Sequence, residues 1–203
     1  MKNLSILPFV LLLSTSSFLI NCTNTSNSQD TQAVDSVAMD STQILQNIKA
    51  MYAWNETDTT QLYDFTLAYP KGFCTGIDQK ANDNRMAELK ETGFFDEAFF
   101  ENYKQILTKI DTEIKADTAK YQEGDGLEND YFGANPWCNC QDSPDKYWET
   151  MKIKDLVING NVATAKWTWI WNDTNPFSYE VKLKKANNTW KITNLEGFDN
   201  LRK

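Results

Sequence analysis

The apolar positions first repeat with a helical period and then with a strand period. Ile44, Leu45, Ile48, Met51 and Tyr52 form one stripe over two helical turns, and Asp40 or Ser41 is placed to cap it. Residues Thr57 to Gly76 have neither period and end at a Pro-Lys-Gly turn, so they are expected to be irregular. Asn82 to Gly93 is a short helical pattern closed by glycine. Asp96 then caps the strongest helix, EAFFENYKQILTKIDTEIKA. Its Phe99, Phe100, Tyr103, Ile106, Leu107, Ile110 and Ile114 share one face, with Glu101, Lys104, Lys109 and Glu113 opposite. So aromatic a stripe needs a sheet or other helices to cover it.

Alternation takes over near Glu149. Four strands are expected, at about 149–158, 162–171, 177–184 and 189–195. Asn159-Gly160 is a strong hairpin signal, and NDTNP and KANN supply the other turns. Ala163, Ala165, Trp167, Trp169 and Trp171 point one way, and Phe177, Tyr179, Val181 and Leu183 form the matching face, which Trp190 and Ile192 continue. The first strand breaks phase between Ile153 and Leu156. A one-residue bulge near Lys154–Asp155 would return both to one face and bend the sheet. Val157 and Val162 are expected opposite one another on the outer face, and KLKK, Lys182 to Lys185, is read as a solvated face. Helices followed by a curved antiparallel meander make an α+β plan.

The amino terminus carries an address. One lysine, Lys2, precedes a mostly apolar run from Ile6 to Ile20 that is too short and serine-rich for a permanent span. LINC, Leu19 to Cys22, resembles the lipobox of bacterial lipoproteins, although Asn21 replaces the usual small residue. The resemblance implies a signal peptide over 1–21 and cleavage before Cys22. It also implies diacylglycerol and acyl (palmitate) modification of Cys22, with the chain held at the cell membrane or outer membrane by its lipid. The domain would lie in the periplasm or on the cell surface. Residues 22–40 then read as a polar tether, and 41–203 as one α+β domain.

Composition narrows the chemistry. The chain of 203 residues has net charge −8, which disfavours nucleic acid as a partner. It has no histidine, which excludes His-based triads and His-ligated zinc. No metal and no cofactor are expected. EGDGLEND, Glu123 to Asp130, does not have the spacing of a calcium loop.

Three features are similar to one family of bacterial lipoproteins, domain-of-unknown-function 3828. These are the helix ending IKAMYAW, the aromatic acidic loop DYFGANPWCNCQDSPD, and the finish VKLKKANNTWKITNLEG. The resemblance covers about 43–198 and implies a cone-shaped nuclear-transport-factor-2-like (cystatin-like) fold, with no reaction attached. The Cys-Asn-Cys insertion departs from the family.

With Cys22 on lipid, three thiols remain. The expected bridge joins Cys74 to Cys138 or Cys140, closing a loop worth roughly 4 kcal/mol in the chain-entropy model. A Cys138–Cys140 pair and free thiols are the alternatives. Folds of this shape often hold a cavity between sheet and helices. Trp54, Tyr131, Trp137, Trp169, Trp171, Tyr179 and Asp142 are the candidate lining. The expected role is a non-catalytic binding or accessory module that takes a small apolar ligand or an envelope protein. One alternative is an enzyme using Asp142 or Asp155 as a general base. Another is a homodimeric structural or assembly protein, paired through the sheet's outer face.

Overall fold

The computed structural model describes residues 28–57, 65–117, 119–169 and 178–199. Cys22, Trp171 and Phe177 lie outside them. Five helices are described: α1 (Ser28–Thr57), α2 (Gln79–Thr92), α3 (Glu97–Ala116), α4 (Leu127–Phe132) and α5 (Tyr147–Thr150). Four strands follow: β1 (Lys152–Asn159), β2 (Val162–Thr168), β3 (Tyr179–Ala186) and β4 (Thr189–Leu195). They form one antiparallel sheet in the order β1-β2-β3-β4. The fold is therefore α+β.

Local signals explain the ends of α2 and α3. Asp78 accepts a hydrogen bond from Ala81 N at the start of α2, and Gly93 closes it at φ +71, where a side chain would be strained. Asp96 accepts from Ala98 N at the start of α3. All seven apolar residues of the α3 stripe are buried. Each such side chain, fully buried, contributes about 1.5–3 kcal/mol. α1 departs from expectation, because it begins at Ser28, well before Asp40. Asp40 is not a cap. Its carboxylate accepts from Lys185 Nζ at 2.6 Å and Trp190 Nε1 at 3.0 Å, so it ties α1 to β3 and β4.

In the sheet, Trp167 pairs with Ile153 and Tyr179, Ala165 with Val181, and Ala163 with Leu183. Their buried face is covered by the helices, with α3 and α1 against β4 and α1 also against β1. The β1–β2 register slips by one residue between Lys154 and Val157, and Asp155 there has φ +49. That bulge puts Ile153 and Ile158 on one face. A second bulge lies in β4, where Lys182 pairs with Asn194 and Leu183 with Ile192, so that Ile192 and Leu195, three residues apart, are both buried. Val157 and Val162 are not opposed. Val157 faces Thr164 and Val162 faces Asn159, which makes the valines diagonal neighbours. Edge strand β4 is covered: Phe94 and Asp96 exchange backbone hydrogen bonds with Ile192.

The irregular stretch before α2 is held by one buried side chain. Asn82 accepts from Thr66 N and donates to Thr66 O and Asp78 O. This closes the hydrogen-bond account of a buried amide.

Candidate functional site

Residues 135–140 form a tight knot. Asn135 N donates to Cys140 O at 3.0 Å, Asn139 N to Asn135 O at 2.7 Å, and Trp137 N to Asn135 Oδ1 at 3.0 Å. Asn139 takes φ +51. Inside this knot the disulfide joins Cys138 to Cys140. The expected bridge from Cys74 is corrected accordingly: Cys74 is a free, half-buried thiol whose Sγ lies 3.8 Å from Gly76 O. Burial raises its pKa, which keeps it protonated and a weak nucleophile. The physical reason for the correction is the path of the loop. Cys74 is on the segment that bridges to Gln122, whereas the knot turns its cysteines towards each other.

The knot is seated in the middle of the core. Tyr179 Oη donates to Pro136 O at 2.7 Å and accepts from Gly197 N at 2.9 Å. Tyr52 Oη donates to Trp137 O at 2.7 Å. A Cβ on Gly197 would sit 1.9 Å from Pro136 O, so this backbone approach requires glycine. Burial drives both tyrosine pKa values far above the ordinary phenol value, so both hydroxyls stay protonated and keep donating. The Trp137 ring is 1% exposed and packs among Phe198, Phe95 and Trp54 at 5.3, 6.0 and 6.2 Å. Its Nε1 is buried with no hydrogen-bond partner among the described residues.

The expected cavity lining is therefore mostly core. Tyr131 packs edge-on to Phe65, and burial pushes its pKa up to about 12. Trp169 stacks near Tyr147 and Trp167 at 4.8 and 5.1 Å. Tyr179 and Trp137 belong to the knot and its clamp. Asp142 is exposed on the loop beyond the knot, and Asp155 is exposed in the β1 bulge. Neither carboxylate sits in an interior cavity. Among the described residues the Pro136–Trp137 segment occupies this region, held by Tyr52 and Tyr179 and packed on Phe95 and Phe198.

No family model matches this chain, and no curated protein or solved structure matches it either.

Trp54 is the aromatic candidate that reaches a surface among the described residues. With Thr57, Glu88, Glu91, Thr92 and Phe94 it lines a groove of about 530 Å³. The groove lies where α1 and α2 both end. A helix carboxyl end carries about half a negative charge, here partly met by Thr57 Oγ1 on Trp54 O, Thr92 Oγ1 on Leu89 O and Gly93 N on Lys90 O. Glu88 and Glu91 add to that field. Arg85, only 3% exposed, stacks its guanidinium 5.4 Å from the Trp54 ring and pairs with Glu88 at 3.4 Å. Glu91 makes no ion pair with any described residue. Glu56, near the same end of α1, is committed elsewhere. It accepts from Lys146 N at 2.6 Å and from Trp148 Nε1, which pins α5 to α1. Another groove, along the outer face of α3, is lined by Glu101, Lys104, Lys109 and their neighbours, the solvated side of that helix.

Arg85, Glu88, Glu91 and Phe94 were not among the sequence candidates. Their spacing of three places them along one side of α2 and past its end, but a polar helix with so few apolar residues gives no sign of which side is covered. Among the described residues no three His, Cys, Asp or Glu side chains come together as metal ligands would, and no helix is long and apolar enough to cross a membrane.

Proposed function

We propose that this protein is a lipid-anchored, non-catalytic binding module of the bacterial cell envelope, attached through Cys22, and that its ligand sits in the Trp54–Phe94 groove. The observation that carries the binding site is the filled interior. The aromatic residues that would line a cavity pack against the 135–140 knot, and Trp54 and Phe94 offer aromatic surface outside it. The groove favours an apolar group that bears positive charge, on a small molecule or on a segment of an envelope protein. Trp54 already holds one guanidinium, and two helix ends and Glu91 supply negative field. The resemblance to the domain-of-unknown-function 3828 lipoproteins, with their cone-shaped nuclear-transport-factor-2-like fold, supports the envelope location. The exposure of Asp142 and Asp155 counts against carboxylate catalysis.

The test is native mass spectrometry of the mature protein purified from membranes, beside a Trp54→Ala variant with an unchanged circular dichroism spectrum. The expected result is extra mass that vanishes on denaturation and is missing from the variant. Extra mass retained by Trp54→Ala would move the ligand out of the groove. A substrate that accumulates only in an Asp→Asn variant would replace binding with catalysis. The intact mass also reports the lipid on Cys22.

A further inference from the structure

The register gathers lysines on the outer face of the sheet. Lys152, Lys154, Lys166, Lys182 and Lys184 share this face and are exposed, and Lys191 shares their register but reaches back to Gly93 at the end of α2. Lys154 is paired directly with Lys166, and Lys184 directly with Lys191. Like charges placed directly opposite each other destabilise a sheet. Lys191 relieves its pair by donating to Gly93 O, whereas neither Lys154 nor Lys166 makes such a contact with another described residue. The carboxylate in this array is Glu180, opposite Lys166 and 3.8 Å from Lys182, and Asp155 is exposed in the adjoining bulge. Among the lysines lie Val157 and Val162, 63% and 53% exposed. A chain of net charge −8 thus carries a basic face with an apolar patch.

We infer that this face docks on the anionic headgroups of a lipid bilayer. The valines enter the headgroup layer while the lysine stems lie along it and their ammonium groups meet phosphate. The inference deepens the lipid-anchored reading and rests on it: the lipid holds the chain at the membrane, and the lysine face sets how the domain lies there. Charge complementarity selects the occupant. A second copy on the same face would bring like charge against like charge, which also argues against a homodimer formed there.

The test uses the mature lipid-modified protein, purified from membranes and reconstituted in vesicles of phosphatidylcholine with or without phosphatidylglycerol. Amine acetylation is read lysine by lysine by peptide mass spectrometry. A lysine at an anionic surface contributes roughly fivefold to the docking constant. The five exposed lysines of the face should therefore label about fivefold or more slowly with phosphatidylglycerol, while Lys109 on α3 is unchanged. High salt should abolish the difference. Lys154→Glu turns a repelling pair into an attracting one, so this variant keeps or gains folding stability. Reversing one charge should still weaken docking about 25-fold. Equal labelling in both vesicles, or protection unaffected by Lys154→Glu, would overturn the inference. Equal protection by soluble polyphosphate with phosphatidylcholine vesicles would overturn it in favour of a free anion. Flotation separates the two readings. A protein that floats with both vesicles but labels equally has its anchor and lacks the docking face. One that floats only with phosphatidylglycerol has the face and lacks the anchor. One that floats with neither has lost both.

Discussion

Replacing Tyr179 with phenylalanine deletes one oxygen and breaks two buried hydrogen bonds. The hydroxyl donates to Pro136 O and accepts from Gly197 N, so both backbone groups lose their partner. A buried polar group left unpaired costs about 1–3 kcal/mol. The expected loss is therefore about 2–6 kcal/mol, a large part of the roughly 5–15 kcal/mol that holds a domain folded. Water cannot easily repair the gap. Gly197 packs so closely on Pro136 that even a methyl group has no room, and a water needs roughly 10–15 Å³ and polar neighbours. Tyr52→Phe is a companion variant. It frees the Trp137 carbonyl and also removes the hydroxyl that meets the Trp167 indole, so it too should destabilise, by about 1–3 kcal/mol for each group left unpaired. Urea unfolding followed by far-ultraviolet circular dichroism measures both. With a slope of roughly 1–3 kcal/mol per molar urea, Tyr179→Phe should lower the midpoint by about 1 M or more, slope unchanged. A midpoint equal to the parent's would refute the clamp. High pH should reach the same contact from the other side. The folded phenols resist ionisation, so their stability is complete below about pH 10 and is lost as the pH climbs towards their raised values.

Gly197→Ala should be worse than either tyrosine variant, because the new methyl meets a backbone carbonyl that cannot swing aside; thermal melting of soluble yield and midpoint reads it. Non-reducing peptide mapping should recover Cys138 and Cys140 in one oxidised peptide and Cys74 as a free thiol, and Cys74→Ser should leave the unfolding midpoint nearly unmoved. Reduction of so small a ring should cost only about 1.5 kcal/mol in chain entropy, much less than a long Cys74 loop would. The hydrogen bond from Lys185, aided by that from Trp190, holds Asp40 below the usual carboxylate range. Its contribution is therefore full above about pH 4 and is lost as the pH falls through the lowered folded value. Asp40→Asn should cost about 1 kcal/mol at neutral pH and flatten that acid limb of a stability–pH curve.

Features set by near neighbours in the chain could be read directly. The α3 stripe, the Asp96 cap, the Gly93 stop and the β1 bulge follow from spacings of one to four residues, and the structure has all of them. The features that decide function depend on distant partners. Asp40 is a plausible cap until Lys185 and Trp190 arrive beside it. Tyr131, Trp137, Trp169 and Tyr179 have the side chains of a binding pocket, and the same chemistry serves a core once Pro136–Trp137 occupies the space. The cysteine pairing turns on where that loop goes, which spacing does not state. Strand β3 and the turn after it show both cases together. Asn187 and Asn188 both adopt positive φ in the β3–β4 hairpin, as the KANN signal suggests. KLKK, by contrast, looks merely solvated until the register sets its Lys182 and Lys184 beside lysines of β2 and β4.

The knot at 135–140 also bears on the order in which the chain can be finished. Its clamps come from Tyr52, far upstream, and from Tyr179 and Gly197, near the carboxyl end, and Phe198 closes over Trp137, Phe99 and Phe132. A ribosome delivers Tyr179, Gly197 and Phe198 after all five described α-helices. Until they emerge, the knot has no seat and the aromatic centre has no lid, whatever helix the earlier residues have formed. Such long closures are slow steps in folding. Chains stalled before Glu196 should accordingly be cut readily by protease, and chains released past Phe198 should resist it. Early resistance in the stalled chains would show that the centre closes without its final residues.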